Sequence, residues 1–249
     1  MIAVILAAGM STRLRPLTDR MPKSLLPVGG VPLLQRTLEA LVAAGIRRCV
    51  IVTGYRHEMI EQFVAGLPLA IDVTYVRNER YATTGNNYSL LCAAPYVAHD
   101  DMLLLDADIL FDPAILPMLI TWRHADALVM KTGVALGAEE IKVELDARGH
   151  VITIGKHIPP LRAVGESIGI EKFSAATCAV LFETLARRQE KNEFYEASFQ
   201  EVIDRGVRIA AVACGDLRCM EIDTPEDLEE AQQLVRVIDR KAALGAAIS

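Results

Sequence analysis

Residues 2–32, IAVILAAGMSTRLRPLTDRMPKSLLPVGGVP, decide how the rest of this 249-residue chain is read. Ile2, Val4, Ile5 and Leu6 make a short apolar run of the kind that forms a buried strand. Ala7, Ala8, Gly9, Ser11 and Thr12 follow at once, and with no bulky side chains in the way their backbone N–H groups can approach an anion closely. Arg13, Arg15, Arg20 and Lys23 stand against a single acid, Asp19, so the segment carries +3 in a chain of net charge −6, which leaves −9 for the remainder. A cationic loop behind a strand, in an otherwise acidic protein, attracts a small polyanion. Nucleic acid is a poor match, because the positive charge is one loop and not a face. Pro16, Pro22, Pro27 and Pro32 stiffen the loop and fix where its cations point. Neither G-x-x-x-x-G-K-[ST] nor G-x-G-x-x-G is present, so spacing alone leaves the ligand open.

A 52% hydrophobic composition over this length supports a substantial core in one domain. No basic stretch with an apolar core and cleavage site opens the chain, and no apolar run approaches membrane-spanning length, so neither secretion nor a membrane is expected. Cys49, Cys92, Cys178, Cys214 and Cys219 are odd in number and scattered, which argues for free thiols in a reducing compartment. Cys214 and Cys219 lack the second Cys or His pair of a metal site. The expectation is a soluble cytoplasmic protein.

Beyond the opening loop a helix starts at Pro32 and stops at Gly45. Strand patterns at 49–52, 71–76, 102–105 and 127–130 alternate with helix patterns at 57–64, 89–94 and 113–123. This alternation predicts a mainly parallel sheet with helices on both faces and ligands beyond the carboxyl ends of its strands. After residue 130 the pattern changes to a hairpin, 141–145 with 151–154, then a strand at 167–173. Helices at 174–188 and 196–205, strands at 207–213 and 218–222, and a terminal helix to about 244 complete the reading. The tail GAAIS is expected to fray.

Three places beyond the first loop carry chemistry. Gly85, Asn86, Asn87 and Ser89 lie in a polar loop after the third strand, where amide and hydroxyl groups can read a nucleobase edge or simply cap the next helix. The loop's place at a strand's carboxyl end favours the first use. Asp106 and Asp108 end a buried strand, where acids are costly without a cation, and a hard divalent metal carrying nucleotide phosphates is a natural partner. Asp112, before Pro113, already caps the following helix. Asp223 precedes Thr224-Pro225, and since Thr224 supplies that cap, Asp223 is free for other work.

LAAGMSTRLRPLTDRMPKSLLPVGGVPLL, residues 6–34, resembles the opening of the nucleotidyltransferase superfamily that makes nucleoside-diphosphate sugars and alcohols. It meets every part of that family's L-A-A-G-x-G/S-T-R-L-x-P-L-T, P-K-x-L-L and small-residue turn before P-L. The resemblance implies a Rossmann-like three-layer α/β sandwich with a mainly parallel mixed sheet, the nucleotidyltransferase fold. It further implies a nucleotide-binding core at about 1–131 and 216–249, and a small inserted acceptor-binding subdomain at about 132–215. Ala7, Ala8 and Gly9, with Leu6, Ser11 and Thr12 beside them, would wrap the nucleotide. Arg13 would grip its phosphates and Lys23 would reach the reacting ones. The segment EIDTPEDL, residues 221–228, resembles the family's second metal-binding motif, so that Asp108 and Asp223 would hold one Mg2+ between them with Asp106 beside the nucleotide.

NNYSL, residues 86–90, is similar to the matching segment of cytidylyltransferases acting on phosphocholine and on inositol phosphate, which implies CTP. Lys156, in Gly-Lys-His where the family often has Glu-Lys-Pro, would contact the acceptor's phosphate, or else is a snorkelling surface lysine. Glu166 is the candidate for a cationic or hydroxyl-bearing headgroup. Tyr195, with Phe194 and Phe199, walls the acceptor pocket or belongs to the core. The implied reaction is in-line attack of the acceptor's phosphate on the α-phosphorus of CTP with loss of pyrophosphate. Phosphocholine leads as acceptor, but a quaternary ammonium wants an aromatic cage, and the one tryptophan, Trp122, falls on a helix elsewhere. Phosphoethanolamine, 2-aminoethylphosphonate, inositol 1-phosphate and sugar 1-phosphates stay open. A rival of another class is a catalytically silent nucleotide-sensing domain, indifferent to magnesium.

Overall fold

The computed structural model describes residues 1–97 and 99–246; of the tail GAAIS, 247–249 lie outside the described residues. In chain order the elements begin with β1 (Ile2–Ala7), the two-residue strands β2 (Pro27–Val28) and β3 (Val31–Pro32), α1 (Leu33–Ala43), β4 (Arg48–Thr53), α2 (His57–Ala65) and β5 (Asp72–Arg77). Then come α3 (Asn86–Cys92), α4 (Ala94–Val97), β6 (Met102–Asp106), β7 (Ile109–Phe111), α5 (Ile115–Ile120) and β8 (Ala127–Thr132). The remainder is β9 (Lys142–Leu145), β10 (Val151–Gly155), β11 (Gly165–Phe173), α6 (Ala175–Arg187), α7 (Glu196–Asp204), β12 (Ala210–Ala213), β13 (Cys219–Glu221) and α8 (Pro225–Ala246).

β1 is buried along its whole length because it is central and covered on both faces. Ala3, Ile5 and Ala7 pack with Leu34, Leu38 and Leu41 of α1, Ile60 of α2 and Leu116 of α5. Ile2, Val4 and Leu6 pack on the other face with Leu90 of α3, Leu181 and Leu185 of α6 and Phe199 of α7. That alternation explains why the strand reads as a continuous apolar run, and it defines three layers. β1 pairs in parallel with β4 and with β6, and β4 in parallel with β5. The long β11 runs antiparallel to both β6 and β8, while β12 pairs in parallel with β8. The result is a mixed, mainly parallel sheet, as expected. The β9–β10 hairpin joins the same sheet through Gly165 and Glu166 of β11.

A third apolar cluster holds the opening loop in place. Leu14, Leu26, Val28 and Leu33 pack against Leu110 of β7 and Ala231, Val235 and Ile238 of α8. The side chain of Gln232 fastens the same contact, accepting from Gly29 N at 2.8 Å and donating to Pro27 O at 2.9 Å. The last helix therefore pins the cationic loop over the carboxyl ends of the parallel strands. Among the described residues no helix is long and apolar enough to cross a membrane.

Candidate active site

Other residues supply the helix caps beside Asp108 and Asp223. Asp112 accepts from Ala114 N at the start of α5. At the start of α8, Thr224 Oγ1 accepts from Asp227 N, while Asp227 Oδ2 accepts from the backbone N–H groups of Asp223 and Thr224. This reciprocal capping fixes the backbone of Asp223 and leaves its carboxylate pointing elsewhere.

The carboxylate of Asp223 meets the opening loop. Ser11 adopts a left-handed conformation (φ 47), and its carbonyl accepts the Thr18 hydroxyl at 2.9 Å, which folds the loop back on itself. Lys23 is thereby buried, with Nζ donating to Asp108 Oδ2 at 2.8 Å and to Asp223 Oδ1 at 2.7 Å. Arg13 Nη2 donates to Asp223 Oδ2 at 2.6 Å. Burial alone would lower the pKa of Lys23, but the two carboxylates outweigh it and raise the value. Burial likewise pushes Asp223 up, and Lys23 with Arg13 brings it below the usual carboxylate range. Lys23 and Asp223 thus hold each other ionised.

Glu221 is a residue that sequence reasoning missed. It ends β13 two positions before Asp223, and carboxylate oxygens of Asp108, Glu221 and Asp223 lie within 4.8 Å of one another. The signal was the E-x-D spacing, since residues two apart on an extended segment face the same way. Burial of its carboxyl end, then Asp108 and Asp223 beside it, push Glu221 up to about 8, although much of the residue is open to the adjoining cavity. Asp108 Oδ1 is buried without a hydrogen-bond partner. Three converging carboxylates with an orphaned oxygen fit a hard divalent cation.

Two cavities meet at this cluster. The smaller, about 270 Å³, is lined by Leu6, Ala8, Gly9 and Ser11 from the first loop, and by Gly85, Asn86, Ser89 and Asp106. Ala7 lines a narrow recess beside it. The larger, about 380 Å³, is lined by Lys156 and Glu166, among others, and shares Arg13, Asn86, Asp106, Phe194, Glu221 and Asp223 with the smaller. Lys156 Nζ lies 3.0 Å from Glu139 Oε2 and 4.6 Å from the centre of the Phe194 ring.

Three expected residues lie off both cavity walls. Thr12 is exposed in a single 3-10 turn and lines neither cavity. Asn87 is buried; its amide donates to Glu190 O at 3.3 Å and its side-chain oxygen accepts from Tyr88 N at 2.7 Å, so it braces the chain. Tyr195 is fully buried against Phe199, with ring centroids 4.9 Å apart, and its hydroxyl donates to Asp106 Oδ2 at 2.8 Å. The entry into α7 turns Tyr195 inward and leaves its neighbour Phe194 to face the cavities.

The loop before α7 also supports the loop at 85–89. Gly85 N donates to Lys191 O at 2.7 Å, and Asn86 Oδ1 accepts from Tyr195 N at 2.8 Å. A side chain at Gly85 would place Cβ only 2.1 Å from Glu193 O, so glycine is required there. The buried Asn78, also missed, donates to Thr84 Oγ1 and Ser89 Oγ and holds the loop from below.

Adjoining cavities with carboxylates and a lysine at their junction suit two phosphate-bearing molecules brought together end to end. Residues 3–177 match the family described as MobA-like NTP transferase domain, and the chain belongs to this family. The chain is 30% identical over 240 residues to CMP-5'-(3-aminopropyl)phosphonate synthase of Streptomyces rubellomurinus, covering 92% of this chain and 38% of that protein. It is 39% identical over 112 residues to a choline-phosphate cytidylyltransferase of Haemophilus influenzae, covering 45% of this chain and 46% of the relative. The match thus spans less than half the length of either curated relative. The inositol-1-phosphate CTP transferase of T. maritima shares the fold, with a TM-score of 0.81 at 24% identity over 95% of each chain.

Proposed function

We propose that this protein is a magnesium-dependent cytidylyltransferase that moves CMP from CTP to a small phosphorylated or phosphonate alcohol or amino alcohol, releasing pyrophosphate. The observation that carries this reading is Lys23 held between Asp108 and Asp223 where the two cavities meet. CTP occupies the smaller cavity, with the small residues 7–9 giving its phosphates close access to backbone and the Gly85–Asn86 loop reading the base. The acceptor occupies the larger cavity, with its phosphate towards Lys156. Magnesium, held by Asp108, Asp223 and Glu221, supplies neutralisation of triphosphate charge when bound. Lys23 and Arg13 stabilise the charge that grows on the departing pyrophosphate. No covalent intermediate is needed, because alignment and charge neutralisation account for most of the rate. The two curated relatives, one named for an aminopropylphosphonate and one for choline phosphate, support an acceptor of this size and charge. Five free cysteines suit action in the reducing cytoplasm.

The test is pyrophosphate release with magnesium, crossing CTP, UTP, GTP, dTTP and ATP against phosphocholine, phosphoethanolamine, 2-aminoethylphosphonate, inositol 1-phosphate and sugar 1-phosphates. Release with CTP and one alcohol or amino-alcohol acceptor is the expected result. Release only with a sugar phosphate would move the protein to sugar-nucleotide synthesis. Nucleotide binding indifferent to magnesium, without release, would make it a sensor.

A further inference from the structure

The larger cavity is strongly acidic, with nine carboxylate side chains and three cations on its wall. Each of those cations already has an acid: Lys156 pairs with Glu139 at 3.0 Å, Lys131 with Glu166 at 3.9 Å and Arg13 with Asp223 at 2.6 Å. One carboxylate on the wall is different. Glu196, the first residue of α7, is 6% exposed, and its Oε2 has no hydrogen-bond partner. Behind it stands Glu171, 0% exposed, with its own Oε2 unpartnered. A buried carboxylate oxygen without a donor is costly, and a second buried acid nearby makes it more so.

We infer that Glu196 is the subsite for the acceptor's ammonium group, and that the acceptor is a short alkyl phosphate or phosphonate ending in a primary amine. The inference rests on the cytidylyltransferase reading and names the acceptor class within it. A primary ammonium brings both missing parts, a positive charge and N–H donors. A quaternary ammonium brings charge without N–H and needs an aromatic cage, and among the described residues Phe194 is the one aromatic on the wall of this cavity. Inositol and sugar hydroxyls bring donors without charge. Burial pushes the Glu196 carboxyl up to about 7, and Lys156, the cation that draws it back, is itself bonded to Glu139. An arriving ammonium would hold the group ionised.

The experiment compares 2-aminoethylphosphonate with ethylphosphonate, which lacks only the amine, and phosphoethanolamine with phosphocholine. Each is measured by calorimetric binding to the full chain and by pyrophosphate release with CTP and magnesium. The expected result is a preference for the amine over its des-amino analogue of about 10- to 100-fold, the range of a charge-assisted hydrogen bond. Phosphoethanolamine should outbind phosphocholine. In Glu196→Gln the preference should disappear while KM for CTP and handling of ethylphosphonate stay unchanged. Equal treatment of amine and des-amino ligands by the wild-type chain overturns the inference without any variant, as does a preference that survives in Glu196→Gln. Calorimetry separates the two readings. Amine-selective binding without pyrophosphate release sinks the reaction and keeps the subsite; release without amine selectivity does the reverse; neither one sinks both.

Discussion

Lys23 and Asp223 lie 200 residues apart in the chain and 2.7 Å apart in space, joined by a bond between a buried ammonium and a carboxylate. Packing of α8 onto the opening loop makes that meeting possible. The apolar contacts of Leu26 and Val28 with Val235 and Ile238 bring the loop and the helix start together. The fold thus closes the site by joining the first and last parts of the chain.

Lys23→Ala removes the cation that two carboxylates share. Turnover should fall on the order of 10²–10³-fold or more, the scale of losing a charge-stabilising donor. Asp108 and Asp223 would then repel across the gap, so melting temperature should drop without magnesium and recover on adding it. Steady-state kinetics and thermal melts with and without the metal check both halves. Near-normal turnover would contradict the assigned role.

Magnesium should raise the melting temperature of the wild-type chain, since a ligand of the native state stabilises it by mass action. Glu221→Gln, Asp108→Asn and Asp223→Asn should each weaken that shift, and EDTA should abolish activity reversibly. An undiminished shift in Glu221→Gln would remove Glu221 from the cation site.

Gly85→Ala forces a Cβ to within 2.1 Å of Glu193 O, so the loop at 85–89 or the loop before α7 has to move. KM for CTP should rise at least tenfold, by about 1.4 kcal/mol or more of lost binding. The acceptor's KM should also change, because Phe194 follows Glu193 in the displaced segment. Kinetics with each substrate varied in turn checks this.

Glu196 gives a pH signature. Burial raises its folded pKa from 4.5 to about 7. Between those values the unfolded chain has released the proton and the folded chain keeps it, so stability falls as pH rises through this window, by up to about 3 kcal/mol from this group. Glu196→Gln should flatten that slope. Chemical denaturation at pH 5 and pH 7.5 measures it, and an unchanged slope in the variant would contradict the assignment.

Much of this was legible in the sequence because the signals are local. β1 declares itself by an unbroken apolar run, and Asp223 is marked as free because Thr224 beside it is the better cap. What was not legible depends on how the chain enters a helix. Phe194 and Tyr195 are adjacent aromatics, and only the angle at which the chain joins α7 decides that Tyr195 goes to the core and Phe194 to the cavity. Asn86 and Asn87 pose the same ambiguity directly after Gly85, and the structure sends Asn87 inward. Glu221 went unread because a short edge strand such as β13 carries little periodicity. Glu196 opens α7, and its burial, which raises its carboxyl, is a tertiary effect with no local sequence signal.

The most direct test of the central claim is 31P NMR of the purified chain with CTP, magnesium and 2-aminoethylphosphonate. The account predicts loss of the CTP signals with equal growth of pyrophosphate and of a CMP-linked phosphonate, and no growth in EDTA or in Lys23→Ala. CTP that stays intact across every acceptor while still binding without magnesium would contradict it.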